Sequence, residues 1–332
     1  MGIDNSLLQH AGLAFQLGQL IGAKQIKLDE SFHRIYHCVF ESGQFCLKQL
    51  VQRPSLARWH QRFESAYEIE TVLSLHNSFL PKPVPRVRDR LGVAIVPLPT
   101  SGNAWFLAHD WANLRPLHDY EITHSVLGEL GTIIATVADL PLSLAVPRID
   151  MDDDTPTPAH LYRSATRSPL VTKELAARFG DVISTLTLVP TSAKQAFCPV
   201  LGHRDLSKKN VLLCESGALI AVDWENCGLS TLEEEIGRAI VHWVNGERSE
   251  ELIPALVNSA TKFGKMLSAP SVLWFSSWLS GHLSFLGYLL TANEKCPTDL
   301  AANRITREIE QLITFAQMLS RTITTLHNIV RT

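Results

Sequence analysis

The feature that most constrains the fold is a change of hydrophobic period about a third of the way along the 332-residue chain. After one opening helix, short segments rich in β-branched and aromatic residues alternate with turns, which is typical of antiparallel strands. Beyond about residue 118, apolar residues recur mostly at helical spacing. The sequence therefore predicts an α+β, bilobal chain, with a small antiparallel-sheet lobe at residues 1–111 and a larger helical lobe at residues 112–332.

The small lobe contains five predicted strands and one long helix. The helix covers residues 55–77 and ends before the Pro-rich segment LPKPVPRV, through which helix geometry cannot continue. The predicted strands are 24–28, 33–42, 44–50, 93–99 and 104–111.

Composition limits the classes of partner. A net charge of -3 gives no electrostatic footprint for nucleic acid, and no basic run marks a membrane anchor. Six cysteines without CxxC spacing are expected to be reduced thiols rather than metal ligands. The partner is therefore predicted to be a small molecule or a protein, with no nucleic acid and no membrane.

Two segments bear on location. The N-terminus has no basic region before its weakly apolar stretch, so a secretory signal is not expected and the cytoplasm is the predicted location. Residues 271–292 carry no Asp, Glu, Lys or Arg over a length that could span about 30 Å of bilayer. Serines interrupt this run, and Leu279, Leu283 and Leu286 recur at helical spacing, which favours a buried helix instead.

The segment GHRDLSKKNVLLCESGALIAVDWE, residues 202–225, carries the chemistry. Phosphoryl transfer from a nucleotide needs oxygen ligands for Mg²⁺ and a carboxylate that orients the attacking hydroxyl and accepts its proton. HRDLSKKN has the spacing of a kinase catalytic loop, with Asp205 as the base and Asn210 as a metal ligand. Asp223 follows an apolar run, where a kinase has its second metal-binding residue.

The same region resembles the aminoglycoside phosphotransferase and choline kinase-like family, which has a protein-kinase-like fold and acts on small molecules. VDWE resembles the Asp-Trp-Glu variant of that family, and NCGLSTLEEEIGRAIVHW resembles its continuation. No activation segment ending in Ala-Pro-Glu follows, so a protein substrate is not expected. By this resemblance, Glu225 either contacts a second metal ion or accepts a hydrogen bond at the strand end.

The resemblance also assigns the nucleotide site. It implies that Lys48, on the strand FCLKQL, grips the nucleotide phosphates and that Glu68, on the next helix, is its carboxylate partner. Val72 and Leu75 support this register if they pack inward with Glu68. Glu70 is the alternative partner.

The segment FLAHDW resembles the family's strand-to-hinge connection. The resemblance implies a hinge at residues 109–111, where the backbone of His109, Asp110 and Trp111 borders the nucleobase. The family commonly has a Gly- or Ser-rich turn over the phosphates, but this chain has no glycine between Leu28 and His37. Ser31 is expected to approach the phosphates with its side chain present.

The charged residues around the catalytic loop leave alternatives open. His203 is expected to brace the loop. Either Lys208 or Lys209 could neutralise the transferring phosphate, and exposed loop lysines are the alternative. Two groups of acidic residues have a structural interpretation. Asp150–Asp154 are typical of a solvated loop. Glu233–Glu235 are typical of a helix N-terminus, which acidic residues stabilise through the helix dipole. They also tilt the prediction slightly towards a cationic acceptor.

The resulting hypothesis is a Mg²⁺-dependent kinase that transfers the γ-phosphate of ATP or GTP to a hydroxyl. The acceptor implied by the resemblance is an aminoglycoside-like antibiotic, which would confer antibiotic resistance, or a metabolite such as an amino alcohol or a sugar. The alternative from another class is a pseudokinase that binds nucleotide or a partner without turnover. Its only support is the missing glycines.

Overall fold

The computed structural model describes residues 4–26, 33–50, 56–76, 79–85, 92–97, 103–144, 155–190, 198–244, 248–292 and 299–330, with backbone alone at residues 56–61 and 300. The chain divides into two compact units. The first comprises Met1–Asp119, Leu140–Pro147 and His203–Leu229, and the second comprises Tyr120–Asp139, Arg148–Gly202 and Ser230–Thr332. The assignment of residues 1–111 and 112–332 as two functional lobes stays a prediction.

The first unit is built on a five-stranded antiparallel sheet of order β1-β2-β3-β5-β4. Its strands are β1 (Leu20–Ile26), β2 (Arg34–Phe40), β3 (Gly43–Leu50), β4 (Ala94–Pro97) and β5 (Asn103–Asp110). Each of the five predicted strands overlaps an observed one, but β1 begins at Leu20, four residues before the predicted start, and the predicted residues 27–28 and 98–99 lie outside the described residues. A second sheet of this unit, order β6-β8-β9, contains β6 (Leu114–Pro116), β8 (Val211–Cys214) and β9 (Leu219–Ala221).

Helix α1 (Asn5–Ala14) covers one face of the five-stranded sheet. Asp4 begins it by accepting a hydrogen bond from the Leu7 backbone at 3.1 Å, which satisfies one N–H group of the first turn. Leu8 and Phe15 are buried against apolar residues of the sheet such as Phe40. This face is an ordinary hydrophobic core.

Helix α2 (Leu56–His76) follows β3 and buries a stripe that includes Phe63, Ala66, Ile69 and Leu73. This spacing of three, four and seven residues is the inward face of an α-helix. The expected register is corrected here. Leu75 is 73% exposed instead of packing inward, because it lies off the stripe.

The second unit is mainly helical. Its helices are α3 (His124–Ala138), α4 (Pro158–Arg167), α5 (Lys173–Thr187), α6 (Leu232–Trp243), α7 (Ser249–Ala260), α8 (Ser276–Ala292) and α9 (Asp299–Val330). Strand β7 (Pro199–Gly202) precedes the catalytic segment, and β10 (Gly228–Thr231) leads into α6. A threonine hydroxyl caps the first turn of α3, α4, α5 and α6. In the described part of the chain, no helix has the length and apolarity needed to cross a membrane.

Candidate active site

The sheet face opposite α1 carries a small apolar cluster that includes Leu50 and Leu107, and beside it a group of polar side chains. Cys46 of β3 lies opposite His37 of β2 and His109 of β5, and Lys48 lies two residues further along β3. Residues opposite each other, or two apart along a strand, share one face of a sheet. Burial raises the pKa of the Cys46 thiol to about 11, so the thiol is uncharged at neutral pH. A half-buried polar face of this kind indicates a binding site.

Lys48 is the centre of a charged cluster that we name the lysine cluster: Lys48, Asp223 and Glu225. Its ammonium donates to Asp223 Oδ1 at 2.5 Å and to Glu225 Oε1. Lys48 is 9% exposed and Glu225 7% exposed. Burial opposes ionisation of Asp223, but the charge and hydrogen bond of Lys48 outweigh it and hold the Asp223 pKa below its usual value. The lowered pKa keeps Asp223 in its charged form at neutral pH.

The backbone at Asp223 turns the chain from β9 into the site. Asp223 has a φ of 69°, a left-handed conformation that aspartate tolerates better than most residues. A 3₁₀ turn, Trp224–Asn226, follows at once. Trp224 is buried and donates its indole N–H to the Ala221 carbonyl at 3.0 Å, which fixes this turn to the end of β9.

The catalytic loop is tied to the same strand end. His203 Nε2 donates to the Val222 carbonyl at 3.1 Å, while its Nδ1 accepts from the Asp205 backbone at 3.3 Å. Because one nitrogen donates and the other accepts, the imidazole is neutral in this arrangement. Asn210 Nδ2 donates to the Asp205 carbonyl at 2.9 Å, and the Asn210 carbonyl accepts from Val222 at 2.8 Å. The geometry matches the bracing role expected of His203.

The two loop lysines have different partners. Lys208 donates to Asp119 Oδ1 at 2.7 Å, and this hydrogen bond lowers the Asp119 pKa. Lys209 Nζ lies 3.3 Å from Asp205 Oδ2. The structure therefore brings Lys209, and not Lys208, to the carboxylate predicted to act as the base.

Glu68 is not brought to Lys48. Glu68 is exposed on α2, and the two residues form no ion pair, because the inward stripe of α2 runs through Ala66 and Ile69 instead. Glu70 shares the inward face, but its Oε2 lies 2.9 Å from His109 Nε2. Neither helix carboxylate is bonded to Lys48.

The residues predicted to form the hinge remain partly within the sheet. The Asp110 N–H donates to the Lys82 carbonyl at 2.9 Å, and the Trp111 N–H donates to the Gln44 carbonyl at 3.1 Å. The Trp111 indole stacks on the His37 imidazole with ring centroids 3.9 Å apart. A nucleobase at this edge would therefore meet the Trp111 and His37 rings, since these two backbone donors are already used.

Several predicted residues lie elsewhere. Ser31 and Asp150–Asp154 fall outside the described residues. Glu233 is buried and accepts from the Ser268 backbone at 2.8 Å, and Glu235 is buried against Arg238. These two acids are structural and do not support a cationic acceptor.

Sequence reasoning missed Arg62. From α2 its guanidinium donates to the Glu225 carbonyl and to Asn226 Oδ1, and so holds the 3₁₀ turn. Nothing in the spacing of α2 distinguishes this arginine from its other charged residues.

Asn210 and Asp223 fit a divalent metal. Among the described residues, no group of three or more His, Cys, Asp or Glu side chains could hold a metal ion. Mg²⁺ instead prefers one or two protein oxygens, with water and substrate phosphates completing its octahedron. Asn210 uses its amide nitrogen internally, which leaves its oxygen as the ligand atom, and the Asp223 side chain keeps 30% of its surface exposed.

Comparison with known proteins identifies the family of this chain. The model of a phosphotransferase enzyme family matches residues 23–264. A search of curated protein sequences found no match.

Solved structures share the fold over nearly the whole chain. An amicoumacin kinase in complex with AMP-PNP, Ca²⁺ and Ami is 15% identical, with a TM-score of 0.62 over 94% of this chain and 93% of that one. A microcompartment-associated aminopropanol kinase is 16% identical, with a TM-score of 0.61 over 94% and 97%. Choline kinase LicA from Streptococcus pneumoniae is 12% identical, with a TM-score of 0.55 over 92% and 97%.

These matches confirm the predicted α+β, protein-kinase-like fold and the resemblance to aminoglycoside phosphotransferases and choline kinases. The family match covers well over half of the chain and includes every site residue described above. The protein therefore belongs to the phosphotransferase enzyme family.

Proposed function

We propose that this phosphotransferase transfers the γ-phosphate of ATP or GTP to a hydroxyl of a small molecule. The observation that carries the proposal is the convergence, within the first unit, of Lys48, Asp205, Asn210 and Asp223 through one strand end and one loop. These four groups are the set that phosphoryl transfer requires.

Asp205 would orient the acceptor hydroxyl and take its proton as the oxygen bonds to the γ-phosphorus. The bond between that phosphorus and the β–γ bridging oxygen breaks, and the nucleoside diphosphate leaves with the electron pair. Lys48 would bind the phosphates. Lys209 lies 3.3 Å from Asp205 and is placed to offset charge on the transferring group. Lys208, bonded to Asp119, is the weaker candidate for that role.

Asn210 and Asp223 would hold Mg²⁺. The metal, when bound, would neutralise phosphate charge and align the transferring group. Ca²⁺ accompanies AMP-PNP in the amicoumacin kinase complex, which supports a divalent metal and an adenine nucleotide here as well. His109, Asp110 and Trp111 would border the base, chiefly through the Trp111 ring.

The acceptor is proposed to be an amino alcohol, an amino sugar or an aminoglycoside-like antibiotic. The names of the aminopropanol kinase and the choline kinase favour an amine-bearing alcohol. An antibiotic acceptor would make the protein a resistance enzyme.

The test is Mg²⁺-dependent nucleotide consumption against a panel of aminoglycosides, other hydroxylated antibiotics, amino alcohols and sugars. We expect one acceptor class to respond. Asp205→Asn should lower kcat by about 10²–10⁴-fold, because general-base catalysis contributes that much. Asp181→Asn, an exposed aspartate on α5, is the matched control and should keep full activity.

Two results would contradict the proposal. Equal turnover by Asp205→Asn and the wild type would exclude Asp205 as the base. Nucleotide binding without turnover on the small-molecule panel or on peptide acceptors would instead favour the pseudokinase alternative.

A further inference from the structure

We propose that Glu225, not an acid of helix α2, is the carboxylate that positions Lys48, and that α2 contributes a cation, Arg62, that holds Glu225 in place. The inference deepens the proposed function, because it rests on Lys48 as the phosphate-binding lysine. It assigns Glu225 a positioning role instead of metal binding.

The first support is that the described carboxylates of α2 are committed elsewhere or exposed. Glu64 accepts from the Gly92 and Val93 backbone at 2.7 and 3.0 Å, and so ties α2 to the segment before β4. Glu70 is paired with His109 at 2.9 Å, and Glu68 faces solvent. Lys48 therefore takes no partner from the helix.

The second support is the burial of the Glu225 carboxylate beside Lys48. The Glu225 side chain is 9% exposed, and Oε1 accepts from Lys48. A carboxylate withdrawn from water this far needs a cationic partner close by. Among the described residues, His33 Nε2 is a second basic group near Oε1, at 3.8 Å. Lys48 lies closer and donates to this oxygen directly.

The third support is the way the turn bearing Glu225 is fixed. Arg62 bonds to the backbone carbonyl of Glu225 and to the side chain of Asn226, so it binds the turn and not the carboxylate. On its other side the turn is fixed by Trp224, which bonds to Ala221 and packs on His203 with ring centroids 4.4 Å apart. The turn that carries Glu225 is thus fixed on both sides, and this holds the Glu225 carboxylate beside Lys48.

This arrangement has a functional consequence. Here Lys48 is positioned by the segment that also carries Asp223, so one structural element would fix both the phosphate-binding lysine and a metal ligand. The position of Lys48 then depends on the turn at residues 224–226, which Arg62 holds.

The test is a double-mutant cycle on nucleotide binding, with ADP affinity measured by calorimetry in the presence and absence of Mg²⁺. The four proteins are the wild type, Lys48→Gln, Glu225→Gln and the double variant. If Glu225 acts through Lys48, Glu225→Gln should weaken ADP binding about tenfold in the wild type and have little effect in the Lys48→Gln background. Glu68→Gln is the matched α2 control and should change the affinity less than about twofold.

A variant that leaves both charges in place guards against misfolding of Glu225→Gln. Arg62→Gln removes the donors to the turn, and we expect it to weaken ADP binding about threefold to fivefold, with Arg62→Lys recovering part of the loss. Melting temperatures of all variants show which of them are folded.

Three results would overturn the inference: additive effects of the Lys48 and Glu225 substitutions, an effect of Glu68→Gln as large as that of Glu225→Gln, or a loss that occurs only with Mg²⁺ present. The last would make Glu225 a metal ligand. ADP binding needs no acceptor, so a coupled cycle without turnover on any acceptor would reject the proposed reaction and leave the positioning role standing.

Discussion

Both units bury charged side chains, but they do so in different ways. In the first unit the lysine cluster sets one ammonium against two carboxylates, Asp223 and Glu225. In the second unit an arginine cluster, formed by Ser230, Glu235, Arg238 and Ser277, pairs one guanidinium with the Glu235 carboxylate, while the Glu234 carboxylate accepts from Ser230 at 3.3 Å. Arg238 bonds to Glu235 and Ser277 and, at 3.2 Å, to Ser230, which itself donates to Glu235 at 2.7 Å.

The difference separates a binding site from a structural pair. The Arg238–Glu235 pair of the arginine cluster is balanced in charge, and both side chains are less than a tenth exposed. The lysine cluster carries an excess negative charge, and Asp223 keeps 30% of its side chain exposed. An excess carboxylate that remains accessible is what a divalent cation can bind, whereas a closed pair has no capacity left for a ligand.

The largest expected effect comes from removing Arg238, which tests whether the arginine cluster is purely structural. Arg238→Met leaves Glu235 buried without its cation and should lower the free energy of unfolding by about 3–5 kcal/mol. Urea denaturation measures this loss. ADP affinity of the folded fraction should stay unchanged, because Arg238 bonds to no member of the lysine cluster.

Two controls accompany Arg238→Met. Arg178→Met removes an exposed bidentate pair with Glu310 and should cost far less. Adding Glu235→Gln to Arg238→Met should recover part of the loss, because no buried charge is then left unpaired. A cost for Arg238→Met no larger than that for Arg178→Met would end the distinction between the clusters.

A second prediction compares the two lysines of the catalytic loop. Lys209→Gln should lower kcat about tenfold, because Lys209 lies beside Asp205 and would offset developing charge. Lys208→Gln removes only a pair with the exposed Asp119 and should change kcat less than about twofold. Steady-state kinetics with the responding acceptor decides between them, and the reverse order would show that Lys208 moves to the phosphates during turnover.

The smallest expected effect is on acid stability. Lys48 holds the Asp223 pKa below its usual value despite burial. Such a carboxyl stabilises the fold above its unfolded pKa of about 3.9, and this contribution is lost as the pH falls through the lower folded value. Below pH 4 the wild type should therefore lose stability more steeply than Asp223→Asn. Urea unfolding between pH 5 and pH 2.5 measures both slopes, and parallel curves would contradict the prediction.

Local patterns predicted most of the secondary structure. The five strands of the first sheet are short runs rich in β-branched and aromatic residues between turns, and α3 and α8 follow the helical period, so a local rule sufficed for each. The loop HRDLSKKN and the segment VDWE were recognisable because their spacing is the one that phosphoryl transfer is expected to need. The register of α2 was harder to predict, because Val72 and Leu75 offer a plausible apolar face that the buried stripe through Phe63 and Leu73 overrides.

Short-range sequence patterns predicted the groups that we propose for phosphoryl transfer, since Lys48, Asp205, Asn210 and Asp223 lie on elements that such patterns specify. The pairing of the charged side chains, in contrast, follows from the tertiary structure. Lys48 and Glu225 are 177 residues apart along the chain, and Arg62 reaches the same turn across 163 residues. Such pairings follow from strand register and from helix rotation by a single residue. Strand register and helix rotation depend on burial of the whole apolar surface, which cannot be read from a local stretch of sequence.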